Sequence, residues 1–417
     1  MTIKKYSRNF ILYAVSMSIS KAVPLLLVLL LSHYFKPSEF GLLSLVQALI
    51  CVFTFLLGGE FTGGVSRKYF ASNIERFSIC ASTSITLILV LNAVVIILVG
   101  GYVYFIGNIF SINLSLSVLA ALCASSQSIM LILTTTLQVA EKPYRYLMTQ
   151  TIYGLSFLIL ILVLYITNTL TVPLFFLLQI MATISAVITN KWLLNDIVTI
   201  KFILCMKEIR YLLSYSAPLV IYSLSSFFIV IYLRITVKEV GGLYLVGLFA
   251  VAQQMGMLMS NADLIVGKVW TPYAFELLAK DKKKEFFRSS YNPILILIVI
   301  FAVLLIVNKL AFMFIISKEF QTASICSIII LFAFFLKSVY SVFVNYAYFY
   351  KKTIFVAMIN VLIAILSLIF SKYALVHMGL IGAGISMLVS YFFLMVMVIA
   401  FIFLDNRVQS RRFSFSR

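Results

Sequence analysis

Lys21, in SMSISKAVPLLLVLLL (16–31), and Lys337, in LFAFFLKSVYSVF (331–343), each stand inside a long apolar run. A charged side chain at mid-bilayer costs about 2.5–3.5 kcal/mol on insertion scales, so such a residue faces a protein interior or a water-filled cavity. At the rise of an α-helix the two lysines lie roughly 17 and 18 Å from the same end of their runs, the end nearer the basic loops. Two like charges at one depth make a poor structural pair. They make a good site for a dianionic group such as a diphosphate. The competing reading is that helix carbonyls or a carboxylate hold each lysine and that it only fixes packing, since its stem cannot snorkel so far.

The carboxylates in apolar sequence are fewer. Asp263, in LMSNADLIVGK (258–268), is the candidate for ion coupling, because a carboxyl group in a low-dielectric setting can carry a proton. It serves equally well as half of a salt bridge that gates one mouth of a pathway. Glu60, in LLGGEFTGG (56–64), reads as a helix-end residue in a glycine-rich turn. Arg234, in VIYLRITVKE (230–239), either draws an anion along the pathway or marks the membrane interface. Gln47 and Gln253, with Gln138, Gln254 and Asn261, suit sugar hydroxyls, and equally suit interhelical hydrogen bonds of about 0.6 kcal/mol each.

Catalytic and cofactor chemistry finds little footing. The two histidines, His33 and His377, are far apart, and the five cysteines are scattered singly, as apolar packing residues are. No nucleophile–base spacing, zinc motif, Walker A loop or dinucleotide fingerprint occurs. The expectation is a protein that is not an enzyme and needs no cofactor or metal, its energy coming from an ion gradient, the membrane potential or the substrate gradient.

The elements that position these residues are membrane helices. Of 417 residues 63% are hydrophobic and 11% charged, and mean hydropathy is +1.12; a soluble domain carries about a quarter charged residues. Dividing at polar and turn-rich breaks gives twelve spans: 10–33, 40–60, 78–106, 113–139, 147–167, 170–190, 211–234, 243–267, 291–316, 321–349, 354–375 and 380–404. The expected fold is all-α and polytopic. Of the 32 Lys and Arg, the second set of alternate loops holds only Lys36, Arg234, Lys238, Lys309, Lys318 and Lys372. The positive-inside rule then places both termini in the cytoplasm. The formal charge of +19 is mostly a rim facing anionic lipid headgroups rather than a surface for nucleic acid.

The stretch KWLLNDIVTIKFILCMKEIR (191–210) is half apolar and half charged, as an interfacial segment is. It divides the chain into a six-helix half (1–190), this linker (191–210), a second six-helix half (211–404) and a basic tail (405–417). A weak repeat links the halves. EFGLLSLVQ (39–47) aligns with LVGLFAVAQ (245–253), matching Gly41 to Gly247 and Gln47 to Gln253, and the turn VAEKPY (139–144) answers FYKKTI (349–354). Six spans per half makes the repeats parallel, a known transporter architecture.

EIRYLLSYSAPLVI (208–221), VGLFAVAQQMG (246–256), WTPYAFE (270–276), SKEFQTAS (317–324), YFYKKT (348–353) and GLIGAGISMLVSY (379–391) carry a family resemblance. Together they resemble the Wzx-type O-antigen and capsule repeat-unit flippases of the multidrug/oligosaccharidyl-lipid/polysaccharide (MOP) exporter superfamily. That resemblance implies two six-helix bundles around a central cavity, lined by the first, second, seventh, eighth and tenth spans. It implies export of a polyprenyl-diphosphate-linked oligosaccharide from the cytoplasmic to the periplasmic leaflet of a bacterial inner membrane. The partners it implies are a polysaccharide polymerase and a chain-length regulator. Lys21, Lys337, Arg234, Gln47 and Gln253 are then the substrate-binding candidates. A cation-coupled drug exporter of the same superfamily is the alternative, and would be expected to carry more intramembrane carboxylate and less lysine. A polysaccharide polymerase would need a long outer loop, which the sequence lacks.

Overall fold

The computed structural model describes residues 26–27, 29–109, 112–194 and 200–414. Lys21 and most of the first span lie outside the described residues. Nine helices among the described residues are long and apolar enough to cross a membrane. The one β feature among them is an isolated bridge between Ile109 and Ile112. The protein is an all-α, multi-pass membrane protein.

Two of the nine helices are hairpins. Met206–Ala279 runs 74 residues but breaks at Gly242 (φ 66°, ψ −168°), a backbone region open in practice only to glycine. Arg234 then meets Gln253 at 2.7 Å, where a straight helix would hold them about 28 Å apart. Thr353–Ser414 breaks in the same way at Gly379, and the rings of Phe355 and Phe401 stack with centroids 4.0 Å apart. With the hairpins opened into their limbs, spans two to twelve are all accounted for. The second runs from Pro37 to Ala71, longer than the 40–60 expected. Its helix restarts at Phe61 after a π turn, Phe55–Gly59, in which Gly58 takes φ 118°. Glu60 stands at that break, where its side chain makes no hydrogen bond to the helix end.

The chain forms two compact units, Met1–Leu27 with Leu42–Phe227, and Val28–Gly41 with Phe228–Arg417. In the first, the opening turns of the seventh span pack over the restarted end of the second. Tyr211 and Tyr215 cover Gly63 and Gly64, and the Tyr211 hydroxyl donates to the Gly64 carbonyl at 3.1 Å. The Lys68 ammonium bonds Glu208 at 2.7 Å, with side chains only 19% and 11% exposed, above a core that includes Phe77, Ile88, Ile132 and Leu212. Residues 200–205 run beside the third span, the Lys201 and Cys205 amides donating to Ser82 and Thr83. There Phe202 and Met206 are exposed beside Lys201 and Lys207, the mixture a segment at a membrane interface presents. Removing one partner of a largely buried ion pair leaves the other charge desolvated. Glu208→Ala is therefore expected to cost about 3 kcal/mol, read as a lower melting temperature of the purified protein, while Glu285→Ala in the exposed Lys282 pair changes little.

In the second unit the start of the second span crosses the eighth at two glycines. A Cβ on Gly41 would collide with the Leu243 carbonyl oxygen, and one on Gly247 with the Pro37 carbonyl oxygen. The contact is reciprocal: each glycine meets the carbonyl four residues before the other. A local two-fold relation that exchanges 37 with 243 and 41 with 247 has the register of the sequence repeat. Such a crossing brings backbones close enough for Cα–H···O contacts, as small residues four apart allow. The turns that the repeat pairs also match. Glu141 and Lys351 both take left-handed φ, 53° and 56°. The next amides, of Lys142 and Lys352, close onto Leu137 and Ala347 at 2.9 and 2.8 Å, the Schellman pattern. Asn168 and Asp281 end their helices alike, so the glycine crossing is the more specific sign of the repeat.

Candidate functional site

In the second unit the tenth span lies against both the eighth and the twelfth, and glycines set the approach. Gly256 of the eighth faces Ile330, and Gly384 of the twelfth faces Ile329 and Cys326. The three spans are alternate passes and run in one direction. Two turns, about 10 Å, beyond Gly256, Ile330 and Gly384 come Asp263, Lys337 and Tyr391. Close backbones at one level thus bring three polar side chains to the same level further along. The packing continues past them, where the buried Trp270 indole donates to the Val342 carbonyl at 3.0 Å.

Lys337 stands at the middle of the 26-residue helix Ser324–Phe349 and is half-buried. Its ammonium lies 5.6 Å from the centroid of the Phe334 ring and 5.7 Å from that of Tyr391. It is within electrostatic reach of the Asp263 carboxylate. Two ring faces hold a cation without consuming its donors, and among the described residues no hydrogen-bond acceptor is bound to the Lys337 N–H groups. The Asp263 carboxylate is bonded instead to the Ser341 hydroxyl, one turn beyond Lys337. That hydroxyl also reaches the Ser338 carbonyl at 2.9 Å. One hydroxyl hydrogen cannot serve both acceptors. With Asp263 protonated, its O–H donates to Ser341 and Ser341 donates to Ser338, and both bonds are made.

The other sequence candidates are placed separately. Arg234 and Gln253 meet across the Gly242 hairpin, Nη2 and Nε both donating to the Gln253 amide oxygen at 2.7 and 3.2 Å, and Gln253 is buried. Hydrogen bonds to a charged group contribute about 1.5–3 kcal/mol, so Gln253→Leu is expected to lower stability by about that much. A chemical or thermal melt of the variant beside Arg234→Ala and the double variant measures the coupling. Gln47 is half-buried in the second span. Lys21 lies outside the described residues. Ser341, Phe334 and Tyr391 were not singled out in the sequence. Ser341 stood four residues after Lys337, on the same helix face, and that spacing was the one available signal. Glu60 accepts from Ser223 at 2.5 Å within the first unit.

No family model matches the chain, and no curated protein does. Solved structures do. A structure described as the lipid II flippase MurJ in an inward closed conformation superposes with a TM-score of 0.72 at 14% identity, over 94% of this chain and 87% of that one. The chain shares the fold of that structure and of two transporters described as belonging to the MOP superfamily. An inward-facing multidrug resistance MATE family transporter of that superfamily gives 0.68 at 14% identity over 95% and 98% of the two chains. A MOP superfamily transporter from Pyrococcus furiosus, described as having a binding pocket of reversed polarity, gives 0.62 at 15% identity over 97% and 95%. That shared fold agrees with the all-α architecture expected from the apolar runs. Likeness at this level of identity concerns the fold, and the chemistry must come from this chain's own side chains.

Proposed function

We propose that the protein is a flippase of the Wzx type, moving a polyprenyl-diphosphate-linked oligosaccharide from the cytoplasmic to the periplasmic leaflet by alternating access. The observation that carries this reading is Lys337: a cation at mid-span, held over two rings, whose hydrogen-bond donors are unspent among the described residues. An anionic head group is the ligand such a group lacks, and a diphosphate offers oxygens to several donors at once. Lys21, at matching depth by sequence, and Arg234, Gln47 and Gln253 are proposed as further substrate-binding residues on their sequence alone. A lipid flippase among the structural neighbours supports the choice of a lipid substrate. Asp263 is the proposed coupling group, since its protonation rearranges the bonds at Ser341 one turn from Lys337. Asp263→Asn, whose amide can donate to Ser341, is expected to fold normally and to lose the dependence of transport on a proton gradient; assay in vesicles with and without an imposed gradient checks this.

The drug-exporter reading is favoured by the Asp263 carboxylate, which would attract a cation, and by the multidrug resistance transporter among the structural neighbours. The test that separates the two uses cells lacking the protein. Polyprenyl-linked glycans are extracted after treatment of intact spheroplasts with an impermeant glycan-modifying enzyme. Complete repeat units shielded on the cytoplasmic face support the flippase. An unchanged lipid pool with increased sensitivity to cationic drugs supports the exporter.

A further inference from the structure

The eleventh and twelfth spans do not close against each other along their length. A small inner cavity of about 50 Å³ lies among the seventh, eleventh and twelfth spans and reaches Tyr391. An outer one of about 540 Å³ opens between the eleventh and twelfth alone. Ile363, Ser367 and Ser390 line both, so the two meet at those residues. The outer mouth is apolar and open: Ile369 is 71% exposed and Phe393 49%. At these positions in membrane spans the neighbouring medium is hydrocarbon.

The floor explains why the fissure stays open and what can pass. Ser367 and Ser390 are small, and each hydroxyl donates to a carbonyl of its own helix, of Ala364 and Ser386, at 2.7 Å. Ser371 and Ser386, which line the inner cavity, do the same. Donors already spent ask for no hydrogen-bonding partner, so a chain without polar atoms crosses the floor at no cost in unmade bonds. The inner cavity ends on Tyr391, the ring beside which the Lys337 ammonium sits. A hydrocarbon chain entering from the bilayer would therefore come within one ring, that of Tyr391, of a cation with unspent donors. Charge complementarity selects among lipids the one whose head is anionic.

We infer that the fissure between the eleventh and twelfth spans receives the hydrocarbon chain of a lipid whose phosphate head engages Lys337. This rests on the flippase reading and adds to it the place of the tail. The chain lies across Ser367 and Ser390 with its first units against Ile363 and its far end in the bilayer past Phe393. The head group alone moves through the protein's polar interior while the tail stays in apolar surroundings.

Photolabelling of the full-length protein in lipid nanodiscs tests this. The probe is a polyprenyl monophosphate with a diazirine in its hydrocarbon chain; the control is a phosphatidylcholine carrying the same diazirine. Adducts are mapped by peptide mass spectrometry. The expected result is labelling of residues 363–373 and 389–393 by the phosphate probe about tenfold above the control, the factor a charge-assisted hydrogen bond from Lys337 to the head group supplies. Ser390→Phe, which fills the floor, and Lys337→Ala, which removes the cation, should each reduce it about tenfold. Because Ser390→Phe can fail to fold, Ser367→Cys provides a second reading: the phosphate probe should protect that thiol from a bilayer-soluble maleimide. Equal labelling by both probes, or labelling and protection untouched by Lys337→Ala, would overturn the inference. Selective labelling confined to other spans would overturn the fissure and leave the flippase reading standing. No selective labelling anywhere would overturn both.

Discussion

Lys337→Ala is expected to reduce export of the lipid-linked glycan by about 10- to 150-fold, the loss of about 1.5–3 kcal/mol carried by a hydrogen bond to a charged group. The protein should still fold, since the contacts Lys337 makes are to the faces of Phe334 and Tyr391 and to the field of Asp263. Lys337→Arg should keep part of the activity, because a guanidinium stays charged, stacks on rings and bonds phosphate through two N–H groups. Lys337→Met keeps the stem and drops the charge, so it should behave as the alanine does. The measurement is surface glycan at matched protein levels, with Lys21→Ala alone and with Lys337→Ala. Normal export by the double variant would remove the anion site.

Gly247→Val is expected to leave no correctly folded protein, and Gly41→Val the same. Each added side chain would overlap a backbone carbonyl of the opposite helix, of Pro37 or Leu243, and a carbonyl cannot rotate away as a side chain can. Overpacking by a methylene or two costs about 1–3 kcal/mol where side chains can adjust; here two helices must separate. Gly267 provides the control, since a Cβ there meets nothing within 4 Å. Gly267→Ala should be neutral or stabilise its helix by up to about 1 kcal/mol. Size-exclusion profiles of the detergent-extracted variants distinguish these outcomes.

The helices were legible in the sequence because bilayer thickness imposes a length on apolar runs, and glycine and charge mark their ends. The hairpin breaks fell between 234 and 243 and between 375 and 380, and the turning residues are Gly242 and Gly379. The restart of the second span was not legible: GGEFTGG reads as a helix end, and only the structure shows the helix resuming at Phe61. The register of the repeat was visible as Gly41 over Gly247, but not that those glycines touch. Partners were the least legible. Nothing in the sequence pairs Asp263 with Ser341, Lys68 with Glu208 or Lys337 with Tyr391, because each contact depends on which faces of two separate helices meet. Arg234 and Gln253 were named as separate candidates, and that they bond each other follows only from the hairpin at Gly242.

The most direct measurement uses purified protein in liposomes loaded with a fluorescent polyprenyl-diphosphate oligosaccharide, half of it accessible to an impermeant quencher at the outset. Flipping makes the protected half accessible over time. The account predicts complete quenching with wild-type protein, slow or absent quenching with Lys337→Ala, and partial rescue with Lys337→Arg. A protected half that stays protected with folded wild-type protein under an imposed proton gradient, in vesicles that do accumulate a cationic dye, would contradict it.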